Sequence, residues 1–125
     1  MRVKVLIVED SPTGRSVLRR RLEEIGCEIV GEAGNASEGL ELFRTLHPQL
    51  VTLDLLMPQS GEVDAKLLFR SIREEAPEAA VVVISAHPKA NEQADYMGNG
   101  ALAFFQKPVD FKSLVSKLKQ IFPQI

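Results

Sequence analysis

The sequence predicts an α/β fold, a parallel sheet with helices on both faces. Three observations carry this. Strand-like and helix-like apolar patterns alternate about five times along 125 residues. Ala80–Ile84 is a continuous apolar run rich in β-branched residues, the pattern of a strand covered on both faces. The apolar runs also end alike. Val3–Val8 stops at Glu9-Asp10, Leu50–Leu53 at Asp54, and Val81–Ile84 at Ser85, while Ala101–Phe105 is followed one residue later by Lys107. Right-handed crossovers restrict the windings such a chain can adopt.

The elements follow in order. Val3–Val8 is the first strand. Ser11-Pro12 then supplies a helix cap with proline at the first helical position. Leu18, Leu22 and Ile25 recur at steps of four and three, the stripe of an amphipathic helix that Gly26 ends. Glu28–Glu32 reads as a short strand, and Asn35 with Glu38 resembles a capping box. Leu40, Phe43 and Leu46 carry the second helix until Pro48 stops it. The third strand ends at Asp54, and a loop through Met57-Pro58 and Gly61 follows. A helix with Leu68 and Ile72 facing inward runs to about Ala76 and is closed by Pro77. Beyond the fourth strand, Pro88–Met97 is a weakly anchored helix whose inner face has only Ala90, Ala94 and Met97. Asn99-Gly100 turns the chain into the last strand, and Asp110 caps a final helix striped by Phe111, Leu114, Leu118 and Ile121. That helix reaches Ile125 without a linker or repeat, so one domain over residues 1–125 is expected.

Composition narrows the class. Hydrophobic content of 45% and charged content of 26% are ordinary for a globular domain. A net charge of −2 gives no general attraction to nucleic acid or anionic membrane. No run approaches the ~18 apolar residues of a membrane span, and the N-terminus is not a secretory signal. The one cysteine, Cys27, excludes an intrachain disulfide and reads as a small core residue. The expected location is the cytoplasm.

If the runs are parallel strands, Glu9, Asp10, Asp54, Ser85 and Lys107 leave one sheet edge, the carboxyl edge where open α/β sheets bind ligands. Glu9, Asp10 and Asp54 are oxygen donors suited to Mg²⁺. A carboxylate such as Asp54 is also a nucleophile toward phosphorus. A bound cation reverses the repulsion that neighbouring acids exert on a phosphoryl group. Ser85 offers a hydrogen bond to a phosphoryl oxygen, with small Ala86 beside it leaving the place open. Lys107 offers a mobile point charge. Each has a plainer role when taken alone: Asp10 as a helix cap, Asp54 as a turn residue, Ser85 bonding its own backbone, Lys107 solvated before Pro108. Their shared edge favours the phosphoryl chemistry. His47 and His87 lack metal-ligand spacing. Arg19-Arg20-Arg21 reads as a solvated face or a docking patch.

The chain resembles the response-regulator receiver domain, the CheY-like domain of two-component signalling. The motifs are Val5-Leu6-Ile7-Val8-Glu9-Asp10-Ser11, Asp54-Leu55-Leu56-Met57-Pro58, Val82-Val83-Ile84-Ser85-Ala86 and Phe104-Phe105-Gln106-Lys107-Pro108. The resemblance implies a doubly wound sheet of strand order 2-1-3-4-5. It implies Asp54 as phosphoacceptor for a histidine kinase or phosphotransfer protein. Mg²⁺ would be held by Asp10 directly, by Glu9 mainly through water, by Asp54, and by the backbone carbonyl of Leu56. Ser85 and Phe104 match the family's switch pair, and Lys107 the lysine that contacts the acyl phosphate. The output surface would be the fourth helix, fifth strand and fifth helix, with a phosphorylation-dependent dimer as one outcome.

The sequence also departs from the family. The loop from Pro58 to Gly61 looks a residue short. Leu56 and His87 fall at the two positions that tune hydrolysis in the family, and because apolar Leu56 cannot orient a hydrolytic water and restricts its entry, a long-lived aspartyl phosphate is expected. The rival readings are a phosphorylation-independent module on the same fold and a phosphatase using Asp54. The phosphatase lacks a second Asp at position 56 to serve as general acid. A flavin carrier is disfavoured by the acidic first strand–helix turn. The protein is expected to be no enzyme beyond its own phosphorylation and dephosphorylation.

Overall fold

The computed structural model describes residues 1–58 and 61–125. Strands β1 (Lys4–Val8), β2 (Glu28–Ala33), β3 (Leu50–Asp54), β4 (Ala80–Ser85) and β5 (Ala103–Gln106) pair in parallel in the order β2-β1-β3-β4-β5. Between and after them run α1 (Pro12–Glu24), α2 (Ala36–Leu46), α3 (Ala65–Glu75), α4 (Glu92–Gly98) and α5 (Phe111–Ile121). This is the doubly wound sheet that the resemblance implies.

Strand alternation divides the core into two layers. Leu6, Val8, Val51, Leu53, Val81 and Val83 pack with Phe43 of α2, Leu68 and Ile72 of α3, and Tyr96 of α4. Val5, Ile7, Leu50, Val82 and Ile84 pack with Leu18 and Leu22 of α1 and with Leu114 and Leu118 of α5. Successive side chains of a strand point to opposite faces, so strands with apolar residues on both faces need a helix layer on each side.

The helix ends follow their caps. Ser11 Oγ accepts the Gly14 N–H at 3.1 Å, with Pro12 at the first helical position. Gly26, at φ 95°, closes α1 as the glycine signal predicts. Its N–H donates to Glu23 O at 3.0 Å, and the Cys27 N–H donates to Leu22 O at 3.0 Å, which satisfies two orphan carbonyls. Asn35 Oδ1 accepts the Glu38 N–H at 2.8 Å, and Asp110 Oδ1 accepts the N–H groups of Lys112 and Ser113. Asp64, which the sequence pattern did not single out, caps α3 by accepting the Leu67 N–H at 2.8 Å.

Two expectations need correction. The fourth helix begins at Glu92 rather than Pro88, because Asn91 takes a left-handed conformation at φ 65° and interrupts the helical path. Its anchor is Tyr96, the buried residue of α4, while Ala90, Ala94 and Met97 are exposed. In α5, Ile121 is exposed and the stripe closes on buried Phe122 instead. A step of four from Leu118 returns to the core face there, and a step of three turns away from it. The expected shortening of the loop from Pro58 to Gly61 falls on residues 59–60, outside the described residues.

Candidate functional site

Strand register builds the site. Val8 lies opposite Leu53, so Glu9 and Asp54 leave neighbouring strands side by side. Asp54 lies opposite Ile84, and Ser85 follows. Ser85 lies opposite Gln106, and Lys107 follows, its backbone N–H donating to Ser85 O at 2.9 Å. Parallel strands all release their C-terminal residues at the same edge. β1 pairs with both β2 and β3, so Glu9 and Asp54 sit at the point where the winding reverses, the usual crevice of an open α/β sheet.

The side chains close this arrangement. Lys107 Nζ donates to Glu9 Oε1 at 2.9 Å and to Asp54 Oδ2 at 3.0 Å. Glu9 and Asp54 are each 3% exposed, whereas Asp10 is exposed. Asp54 Oδ1 accepts the Leu56 N–H at 3.0 Å. Leu56 lies at the same edge with its side chain turned outward, 59% exposed. Ser85 is buried at the end of β4. Phe104, half-buried in β5, has its ring centroid 6.3 Å from that of Tyr96, which meets Phe69 edge-on at 4.8 Å.

Electrostatics shows strain that one ammonium does not relieve. Burial, followed by the neighbouring Asp54 carboxylate, pushes the Glu9 carboxyl up to about 7, against the opposing pull of Lys107. Burial alone would lower the Lys107 ammonium, but its bonds to Glu9 and Asp54 prevail and hold it above its ordinary value. Glu9 Oε2 is buried with no hydrogen-bond partner among the described residues. Carboxylate oxygens of Glu9, Asp10 and Asp54 lie within 4.8 Å of one another. Three oxygen donors with a buried oxygen left unpaired fit a hard divalent cation such as Mg²⁺.

The remaining sequence candidates lie elsewhere. His47 ends α2 in a left-handed conformation, and His87 is exposed after β4. Among the described residues neither joins a metal-ligating cluster. Cys27 is buried, as expected of a core residue. Arg19, Arg20 and Arg21 of α1 do not form one face. Arg19 pairs with Glu32 and Glu23, and Arg21 lies over the Phe111 ring at 5.0 Å from its centroid. Successive helical residues are ~100° apart, which splays them.

Sequence reasoning missed two neighbours of the site. Gly14 lies against the Glu9 carboxyl, where an added β carbon would come within 3.0 Å of Cδ. Arg15 reaches back to the backbone of Glu9 and Asp10. Neither carries a motif signal, since both depend on how α1 docks.

The comparisons with known proteins identify the family and the fold. The family described as response regulator receiver domain matches residues 5–119. The chain belongs to that family. Chemotaxis protein CheY of Thermotoga maritima is 31% identical over 118 residues, covering 94% of this chain and 96% of its own. Transcriptional regulatory protein MctR of Rhizobium johnstonii is 32% identical over 121 residues, and the match covers 96% of this chain but 55% of that protein. The receiver domain thus spans nearly all of one relative and about half of the other. Among solved structures, the CheX–CheY–BeF3–Mg²⁺ complex from Borrelia burgdorferi matches with TM-score 0.85 at 28% identity, covering 96% of this chain and 89% of that one. The receiver domain of AraT from Geobacillus stearothermophilus matches with TM-score 0.84 at 27% identity, covering 99% and 98%. Among the described residues no helix is long and apolar enough to cross a membrane.

Proposed function

We propose that Asp54 is the phosphoacceptor of a two-component response regulator. One observation carries the reading: Lys107 Nζ bonds two buried carboxylates, Glu9 and Asp54, beside a third from Asp10. Such an edge holds more negative charge than its lysine balances, and it presents a nucleophile. Glu9, Asp10 and Asp54, with the Leu56 carbonyl, would hold Mg²⁺. Bound there, the cation supplies charge neutralisation for an incoming phosphoryl group.

The chain's own residues supply the rest. An Asp54 carboxylate oxygen attacks phosphorus, forming the P–O bond as the bond to the donor histidine nitrogen breaks. The Leu56 N–H, 3.0 Å from Asp54 Oδ1, holds the carboxylate in orientation. Lys107 exchanges a carboxylate oxygen for a phosphoryl oxygen on its flexible stem. The Ser85 hydroxyl turns to donate to the phosphoryl group, and the Phe104 ring follows it inward. That coupled change biases a surface of α4, β5 and α5 toward a downstream partner or a second copy. The donor is a histidine kinase or phosphotransfer protein, and the compartment is the cytoplasm. Residues 1–125 act as one receiver unit, with no catalysis beyond their own phosphorylation and its reversal.

The test is incubation with Mg²⁺ and a small acyl phosphate, followed by intact-mass analysis. A gain of one phosphoryl group is expected, lost in Asp54→Asn and lost on chelation. No gain in the parent chain would favour a phosphorylation-independent binding module.

A further inference from the structure

We infer that Arg15 is a positioning residue that holds the β1–α1 loop in its cation-binding shape, with Glu32 and Arg19 as its support. The inference rests on the cation reading above.

The loop between β1 and α1 leaves two carbonyls in need of partners. The Glu9 N–H is already used, donating to Ala33 O at 2.9 Å. The Glu9 carbonyl accepts from Arg15 Nη1 at 2.7 Å, and the Asp10 carbonyl accepts from the same nitrogen at 3.2 Å. Those carbonyls belong to the peptide planes on either side of Asp10. Bonding both fixes φ and ψ of Asp10 and so aims its Cα–Cβ bond. Asp10 is exposed, and its direction therefore depends on its backbone. The Glu9 carboxylate is held in place by Lys107. For Asp10 the bonds from Arg15 to the adjoining carbonyls do the equivalent work.

Arg15 is held in turn. Its Nε lies 3.6 Å from Glu32 Oε1. Glu32 Oε2 is 2.9 Å from Arg19 Nε and 2.8 Å from Arg19 Nη2. Arg15 and Arg19 stand four residues apart on α1, one turn of the helix, and Glu32 reaches them from β2. The fork therefore runs from β2 through α1 to the loop. Two effects oppose each other when Arg15 is removed. Loss of a positive charge would strengthen cation binding, and loss of loop order would weaken it. Glu32, shared with Arg19, lies 3.6 Å from the Arg15 Nε and offsets part of the guanidinium charge. That pairing reduces the charge effect, and the ordering effect prevails because Arg15 holds both carbonyls beside Asp10, at 2.7 Å and 3.2 Å.

The experiment uses the full chain and Mg²⁺ alone. Arg15→Met should weaken Mg²⁺ binding roughly tenfold by titration calorimetry, the range for loss of a group that orients a metal ligand. Arg15→Lys should fall between Met and the parent, because one ammonium keeps the charge but not the fork. Without metal, the Glu9 and Gly14 amides, which donate to Ala33 O and Ser11 Oγ, should exchange faster in Arg15→Met while those of α5 keep their protection. Unchanged or tighter Mg²⁺ binding would overturn the inference, and so would faster exchange spread evenly over the chain. If the parent itself binds no Mg²⁺, the cation reading fails, and the metal-free exchange still decides whether Arg15 orders the loop.

Discussion

The carboxyl edge of the sheet and the α4 segment are held in opposite ways. At the edge, Glu9 is fixed by a backbone bond to Ala33 and a side-chain bond to Lys107, and Asp54 by Lys107 and the Leu56 N–H. α4 is seven residues long, has no side-chain cap, and buries one ring, Tyr96, against Phe69 and Phe104. The edge is held by directional polar contacts that tolerate little displacement. The helix is held by apolar contact, which is non-directional and permits sliding. A group-transfer site needs fixed geometry, whereas a surface that reports its state needs a low barrier between arrangements. The strain also differs: the edge stores unfavourable charge, and α4 has little binding of any kind.

The largest expected effect comes from that stored charge. A Glu9 carboxyl raised from its ordinary 4.5 to about 7 costs the metal-free fold on the order of 3 kcal/mol once both folded and unfolded chains are ionised. Its contribution to stability is fully present below about 4.5 and is lost as pH rises through about 7. Glu75 and Asp110, whose carboxyls are held below their ordinary range by hydrogen bonds, act only under that window. Urea melts of metal-free protein should therefore show stability rising as pH falls from about 7 to 5. Glu9→Gln should flatten that slope and raise stability at pH 7.5. A parent slope of zero would mean that Glu9 is not strained.

A smaller and more local effect belongs to α4. Tyr96→Ala removes its buried anchor and should cost about 2–3 kcal/mol, at the lower end for a large aromatic because the short helix can settle. The loss should fall on α4, with amides 92–98 exchanging roughly a hundredfold faster and the β1 and β3 amides unchanged. Equal acceleration throughout the sheet would erase the contrast between the two regions.

The smallest effect is optical. The chain has one tyrosine and no tryptophan, so tyrosine emission reports Tyr96 alone. If Phe104 moves when Asp54 is phosphorylated, the ring 6.3 Å from Tyr96 changes its neighbourhood. Emission should change on adding Mg²⁺ and acyl phosphate, because the tyrosine ring then loses or gains an aromatic neighbour. Asp54→Asn should abolish the shift. A mass gain with constant emission would remove Phe104 from the proposed switch.

Where strands lie was legible to within a residue or two, because most apolar runs in this parallel sheet are continuous and end in polar residues, although β5 begins at Ala103 and the half-polar β2 runs on to Ala33. Asp54, Ser85 and Lys107 could be found at those ends, and their neighbour relations followed from parallel pairing. The fourth helix misled because Ala90, Ala94 and Met97 keep helical spacing, while the left-handed Asn91 and the aromatic contacts of Tyr96 decide where helix begins and which face turns inward. Ile121 misled in the same way: Phe122 is one residue along, and only the docking of α5 selects between them.

Local pattern was enough for the order of elements, the caps of α1, α2 and α5, and the set of side chains delivered to one edge, because periodicity and capping depend on residues a few positions apart. Tertiary structure alone decided that Lys107 spans Glu9 and Asp54, that Glu9 is desolvated, and that Arg15 reaches the Glu9 and Asp10 carbonyls. Those facts depend on ångström distances between segments as far as 98 residues apart. Such distances are set by how helices pack on the sheet, and a one-dimensional pattern does not encode them.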